Sequence, residues 1–151
     1  MTTGVRWSPW AELRRYPDIW VHRCRLSEGL GWWCPGERMI LVDERLDGCQ
    51  TRCVVAHELG HAVLGHGWSP DFADVDWLAR RQERQADQWA ARRLVTVDAL
   101  AEALVAHPDD RAAAACFLDV TVDVLADRLA AVDDAERAVI RARCAALESA
   151  A

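Results

Sequence analysis

Several residue types and patterns are missing from the sequence. It contains neither lysine nor asparagine, so all 18 basic side chains are arginines. No stretch approaches the ~18 uncharged apolar residues of a membrane-spanning helix, so we expect no contact with a membrane. Residues 1–10 lack an apolar core followed by a small-residue cleavage site. We therefore expect no secretory signal and a cytoplasmic location.

Positive charge is scarce in the C-terminal part of the chain. In residues 1–96, 13 arginines balance 13 acidic side chains, whereas in residues 97–151 only 5 arginines accompany 11 acidic ones. The whole net charge of −6 therefore lies in the last third of the chain. Because nucleic acids attract basic surfaces, this distribution disfavours direct binding of nucleic acid.

The residues that are present are typical of one globular domain. The chain has 151 residues, 52% of them apolar and 28% charged, which suits a single core. Because we expect no export signal, we expect the cysteines to be free buried thiols rather than disulfides. Cys49 and Cys53 lie four residues apart, but without a matching second pair they are a weak metal signal. The six cysteines are Cys24, Cys34, Cys49, Cys53, Cys116 and Cys144.

The spacing of apolar side chains predicts an α+β fold. Residues 20–26 alternate apolar and polar side chains, and residues 32–34 and 38–42 form two further extended runs. Together they predict a small N-terminal antiparallel sheet of about three strands. A long helix should begin at Asp47, whose spacing to Gln50 is that of a capping box. Further helices are predicted at roughly 10–16, 75–94, 97–106, 109–118, 121–131 and 133–147.

An H-E-x-x-H motif lies within the helix predicted from Asp47. Its histidines, His57 and His61, are four residues apart and therefore lie on the same helix face. Both imidazoles can reach one zinc ion at the ~2.0–2.1 Å that zinc–nitrogen bonds require. Glu58 projects about 100° away around the axis, where it can act as general base toward a water activated by the metal. The alternative interpretation is a pair of core histidines bonded to buried polar groups.

A catalytic zinc ion needs a third protein ligand. The extended motif H-E-x-x-H-x-x-G-x-x-H is absent, because Leu64 and Gly67 occupy its later positions. His66 lies five residues after His61, so its side chain points away from the helix face that carries His57 and His61. We therefore expect it to hydrogen-bond near the helix end. Glu83, on the next long helix, is the better candidate, and Asp87 on the same face can hold a ligand imidazole by a hydrogen bond. Spacing alone leaves open that Glu83 belongs to a solvated, arginine-rich face.

Two separated segments resemble the ImmA/IrrE family of zinc endopeptidases. Residues 57–66 read H-E-L-G-H-A-V-L-G-H, and residues 83–94 read E-x-x-A-D-x-W-A-A-x-x-L. The resemblance implies that Glu83 is the third Zn²⁺ ligand. Asp87 stands where the family usually has asparagine, and it keeps the hydrogen-bond acceptor.

Chain length and the resemblance together predict the domain organisation. At 151 residues the chain is too short for two domains, so we expect one mainly helical zincin-like domain over residues 1–151, on which the small sheet packs. The resemblance itself spans roughly residues 20–95 and weakens beyond Leu94. The catalytic part should occupy about residues 20–95, and a C-terminal helical part about residues 96–151.

The function implied by the resemblance is cleavage of a helix-turn-helix transcriptional repressor, which relieves repression in phage, mobile-element or stress-response circuits. A second hypothesis is a regulatory module that binds a transcription factor without cutting it, although an intact Glu58 argues against this. A third is DNA binding by residues 112–129, which have the rhythm of a helix-turn-helix but an acidic charge.

Two details of the predicted cleft rest on residue type rather than spacing. Tyr16 and His66 are the candidates for a donor that stabilises the reaction's oxyanion. Trp32, Trp33 and Trp68 can line a cleft near the zinc ion.

Overall fold

The computed structural model describes residues 6–67 and 76–150. By its internal contacts the chain divides into two compact units, Met1–Ala90 and Ala91–Ala151. The first unit contains the sheet and the H-E-x-x-H helix, and the second is helical in its described residues. Whether the two units act as one domain stays a prediction.

The sheet in the first unit has three strands, β1 (Trp20–Cys24), β2 (Gly31–Cys34) and β3 (Met39–Asp43). Strand β3 lies in the middle, parallel to β1 and antiparallel to β2. It is the most apolar of the three, and its Ile40 and Val42 are completely buried. The central position suits this strand because it removes the most apolar surface from water.

The prediction of a purely antiparallel sheet was therefore wrong, because the sheet is mixed. The chain does reverse direction at each connection, as a meander would. The difference is that β1 pairs with the far edge of β3 instead of with β2. Alternating side chains specify which face of a strand is buried, but they leave open which neighbour it pairs with.

The helices of the first unit are α1 (Pro9–Leu13), α2 (Gly48–Val63) and most of α3 (Asp76–Leu94). Helix α2 begins at the predicted capping box. The Asp47 carboxylate accepts a hydrogen bond from the Gln50 N–H at 2.8 Å, and the Gln50 side chain accepts one from the Asp47 N–H at 3.0 Å. Helix α2 packs on β2 and β3, which brings the motif beside the sheet.

The second unit contains α4 (Val97–Ala106), α5 (Arg111–Leu118), α6 (Val122–Ala130) and α7 (Asp134–Ser149). Helix α4 packs against α5 and α7. Each helix begins behind a side chain that accepts a hydrogen bond from its first turn, which stabilises the helix start. These capping residues are Thr96, Asp110, Thr121 and Asp133.

Together these elements confirm the predicted α+β class. Helices α5 and α6 with their short turn form the helix pair expected at residues 112–129, and DNA binding by that segment stays a prediction. Within residues 6–67 and 76–150, no helix is both long and apolar enough to cross a bilayer.

Candidate metal centre

Helix α2 presents both histidines of the motif to a cleft. On its inner side, Val55, Ala56 and Leu59 have no exposed surface, which sets the rotation of the helix. His57 and His61 lie on the side that lines the cleft. Burial of these three uncharged side chains therefore fixes the orientation of α2, the helix that bears His57 and His61.

Three side chains converge at one point of this cleft. The Nε2 atoms of His57 and His61 are 3.0 Å apart. The Glu83 carboxylate, which α3 carries, lies 3.3 Å from each of these nitrogens. Within the described part of the chain, these three residues form the group of His, Cys, Asp and Glu side chains close enough to hold a metal.

The donor set fits a tetrahedral metal ion. Two ligand atoms bound to one tetrahedral zinc ion at ~2.0–2.1 Å lie roughly 3.3 Å apart. The three donor separations, from 3.0 to 3.3 Å, match this edge length. Two imidazoles and one carboxylate form a donor set typical of catalytic zinc sites, which keep a fourth position open.

Asp87 holds His57 from behind. Its carboxylate accepts a hydrogen bond from Nδ1 of His57 at 2.8 Å, which leaves Nε2 directed at the centre. Burial lowers the pKa of His57, but the hydrogen bonds to Asp87 and Glu83 outweigh it and raise the pKa to about 10. Hydrogen bonds from the two histidines hold the pKa of Glu83 well below its usual range.

His61 is held from behind by a different partner. Its Nδ1 lies 3.0 Å from Nδ1 of His66, and Nε2 of His66 lies 3.1 Å from Oε1 of Gln85. The expectation that His66 hydrogen-bonds near the helix end is therefore confirmed. Both of its ring nitrogens are engaged in these contacts, and a role for His66 as donor to an oxyanion stays a prediction.

Glu58 is buried between α2 and the sheet, with 8% of its surface exposed. Burial raises the pKa of its carboxyl group, and the neighbouring His57 and His61 and a hydrogen bond from the Trp33 backbone oppose this rise. The close approach depends on Gly31 in β2. A Cβ atom there would lie 2.4 Å from Cγ1 of Val54 and 3.1 Å from Oε1 of Glu58.

A second glycine brings α3 against α2. A Cβ atom on Gly60 would lie 3.2 Å from the Trp89 ring and 3.3 Å from the backbone oxygen of Ala86. Ala86 is completely buried, and its small side chain lets the two helices pack closely. This contact places Glu83, one turn earlier on α3, opposite the two histidines.

The cleft has a volume of about 1030 Å³, and all of β2 lines it. Trp32 and Trp33 line it, as predicted, and Glu58 lies at its wall. Tyr16 does not lie among the described residues that line the cleft, so nothing supports its proposed role there. Trp68 and the predicted helix start at Val75 lie outside the described residues.

The six cysteines are free thiols, as expected, but the expectation that they are buried holds only for Cys53, and Cys116 is exposed. Cys34 lines the cleft, where burial and the nearby carboxylates of Glu37 and Glu58 raise the pKa of its thiol.

Three features of the site were not predicted from the sequence. They are the close approach at Gly31, the contact of Gln85 with His66, and the placement of His66 against His61. Gly65 was the available signal for His66, because a glycine just past a helix end favours a turn that folds the chain back.

A family model matches most of the chain. The IrrE N-terminal-like domain of the Peptidase_M78 family matches residues 14–130. No curated protein matches the chain.

Proposed function

The chain belongs to the IrrE N-terminal-like family of M78 peptidases, and from that premise we propose that it is a zinc-dependent endopeptidase. The observation that carries the proposal is the convergence of His57, His61 and Glu83 within reach of one metal ion. A family match without this convergence would leave the chain a peptidase-like scaffold.

Zinc is the metal that the donor chemistry favours. Imidazole nitrogens and one carboxylate suit Zn²⁺, whereas Mg²⁺ and Ca²⁺ prefer sites built from oxygen. His57, His61 and Glu83 would hold the ion. When bound, zinc supplies a Lewis acid that polarises carbonyl groups and lowers the pKa of water toward ~7.

Glu58 is the proposed general base. It follows a metal ligand directly, lies at the wall of the cleft, and stays outside the group of converging donors. Its carboxylate would accept a proton from the attacking water and pass it to the nitrogen that leaves the cleaved peptide bond. The Trp33 backbone donates a hydrogen bond to this carboxylate and favours its charged form.

The proposed substrate is a helix-turn-helix transcriptional repressor, which the chain would cleave to relieve repression. The resemblance to the ImmA/IrrE family suggests this class. The size of the cleft and the exposed Trp32 in its wall support a protein substrate, since a peptide segment needs a large site with apolar surface to bind.

The test begins with the metal content of the purified protein and continues with cleavage of the helix-turn-helix repressor encoded beside it. We expect one zinc ion per chain, and fragments that appear with zinc and vanish with a chelator. Glu58→Gln should keep its zinc and cleave at least ~100-fold more slowly, since general-base catalysis contributes ~10²–10⁴-fold.

Glu37→Gln is the matched control, because Glu37 lines the same cleft without joining the converging donors. It should cleave at the wild-type rate. Undiminished cleavage by Glu58→Gln would remove Glu58 as the base. A stable complex with the repressor in zinc, without fragments, would instead favour the binding module.

A further inference from the structure

His66 is a buried histidine that has no part in the proposed reaction. Its two ring nitrogens contact His61 and Gln85. We propose that His66, held by Gln85, is a positioning residue that fixes the ring tautomer of His61 and so presents its Nε2 lone pair to the metal. The inference rests on the zinc site proposed above and adds two residues to it.

The backbone places His66 beneath His61. Helix α2 ends in a turn where Gly65 adopts a φ of 69°, a left-handed conformation that glycine accepts without strain. The N–H of His66 then donates to the carbonyl of His61 at 2.9 Å, and the N–H of Gly65 donates to that of Ala62 at 3.3 Å. This pair of bonds is a Schellman motif, and it returns His66 to the helix it has just left.

The positions of the ring protons on His61 and His66 follow from one requirement. If Nε2 of His61 is to bind a metal, a neutral His61 must carry its proton on Nδ1. That proton is donated to Nδ1 of His66 across 3.0 Å. His66 must then carry its own proton on Nε2, where it donates to Oε1 of Gln85 across 3.1 Å.

Gln85 is needed because an imidazole can accept or donate at either nitrogen. Asp87 accepts only, so it fixes the tautomer of His57 without help. His66 could instead carry its proton on Nδ1, and His61 would then have to place its own proton on Nε2, where the metal binds. The carboxamide oxygen of Gln85 is the atom that faces Nε2 of His66, and it disfavours this arrangement by accepting from that nitrogen.

The experiment compares zinc affinity, measured by competition with a chromogenic chelator, in wild type and four variants. His66→Phe should bind zinc ~10–100-fold more weakly, the usual cost of removing a partner of a metal ligand. His66→Gln should recover much of this loss, since its side-chain oxygen can accept from His61. Gln85→Leu should weaken binding less than His66→Phe does. Gln85 is exposed, so Gln85→Leu should fold, and it tests the series of hydrogen bonds from His61 through His66 to Gln85 even if His66→Phe does not fold.

Gln88→Leu is the matched control, because Gln88 is exposed on the same helix and should leave affinity unchanged. Nitrogen NMR of the histidine rings reports which ring nitrogen carries the proton. A general loss of protein stability would not change that assignment. It should show the proton on Nδ1 of His61 and on Nε2 of His66.

Wild-type affinity in both His66→Phe and Gln85→Leu, or a proton on Nδ1 of His66, would overturn the inference while the zinc site stands. Failure of the wild type to bind zinc would overturn the zinc site, and the inference with it.

Discussion

The space around Glu58 depends on a glycine in the neighbouring strand, Gly31, which has no side chain. Gly31 lies where β2 meets α2, and any Cβ atom there would overlap Val54 and press on the Glu58 carboxylate. Helix α2 can therefore approach the sheet closely enough for the Trp33 backbone to donate to Glu58. A glycine in a strand normally weakens it, so this one is explained by the approach that it permits.

Gly31→Ala should disturb this arrangement. A contact of 2.4 Å to Val54 forces atoms to move, and Glu58 lies next to them. We expect cleavage of the repressor to slow by about 10²-fold, since a misplacement of ~1 Å can cost that much. The free energy of unfolding, measured in urea, should fall by about 1–3 kcal/mol because the site becomes overpacked.

Gly36→Ala is the control for this prediction. A Cβ atom at Gly36 would meet nothing within 4 Å, although the residue lines the same cleft. It should change neither rate nor stability. Wild-type cleavage by Gly31→Ala would mean that the position of Glu58 does not depend on this glycine.

At the scale of elements, the metal centre depends on how closely α3 approaches α2. Two of the proposed ligands lie on α2 and the third on α3, so a small shift between these helices changes the donor separations directly. Gly60 and Ala86 are small where the helices touch. The glycine of the H-E-L-G-H segment is therefore explained by packing.

Gly60→Ala should weaken zinc binding more than it weakens the fold. Alanine favours a helix interior by ~1 kcal/mol over glycine, which offsets part of the ~1–3 kcal/mol cost of overpacking. The contact to the Ala86 backbone remains tight, so α3 should shift and carry Glu83 with it. We expect zinc affinity, from chelator competition, to fall about tenfold, or ~1.4 kcal/mol.

Gly48→Ala makes the same change at the start of the same helix, where a Cβ atom would meet nothing within 4 Å. Its zinc affinity should equal that of the wild type. An equal loss in both variants would point to helix α2 itself rather than to its contact with α3.

At the scale of the whole molecule, zinc should act as a stabiliser. Its ligands lie on separate helices, so the complete donor set exists only in the folded chain. Zinc at 100 times its dissociation constant should therefore raise the free energy of unfolding by about 2.7 kcal/mol. Thermal unfolding with zinc and with a chelator measures the shift in midpoint.

Glu83→Gln should lose most of this zinc-dependent shift, because it removes the charged ligand from α3. Glu37→Gln should retain the shift in full, as a cleft carboxylate outside the donor set. Equal midpoints with and without zinc in the wild type would contradict the proposed centre.

The features that the sequence determined by itself are local ones. His57, Glu58 and His61 lie within two turns of one helix, and helical geometry alone places the histidines together. The capping box at Asp47 is equally local, because its two hydrogen bonds span three residues. Such features depend on backbone geometry over a few residues, which periodicity and residue type describe well.

Tertiary structure alone decided which separate segments meet. It placed β1 beside β3, brought Gly31 against Glu58, and set Gln85 against His66. The position of Glu83 belongs here too, since spacing left it open and only the family resemblance favoured it. These contacts join residues far apart in the chain, and their energies depend on which faces pack together rather than on any local pattern.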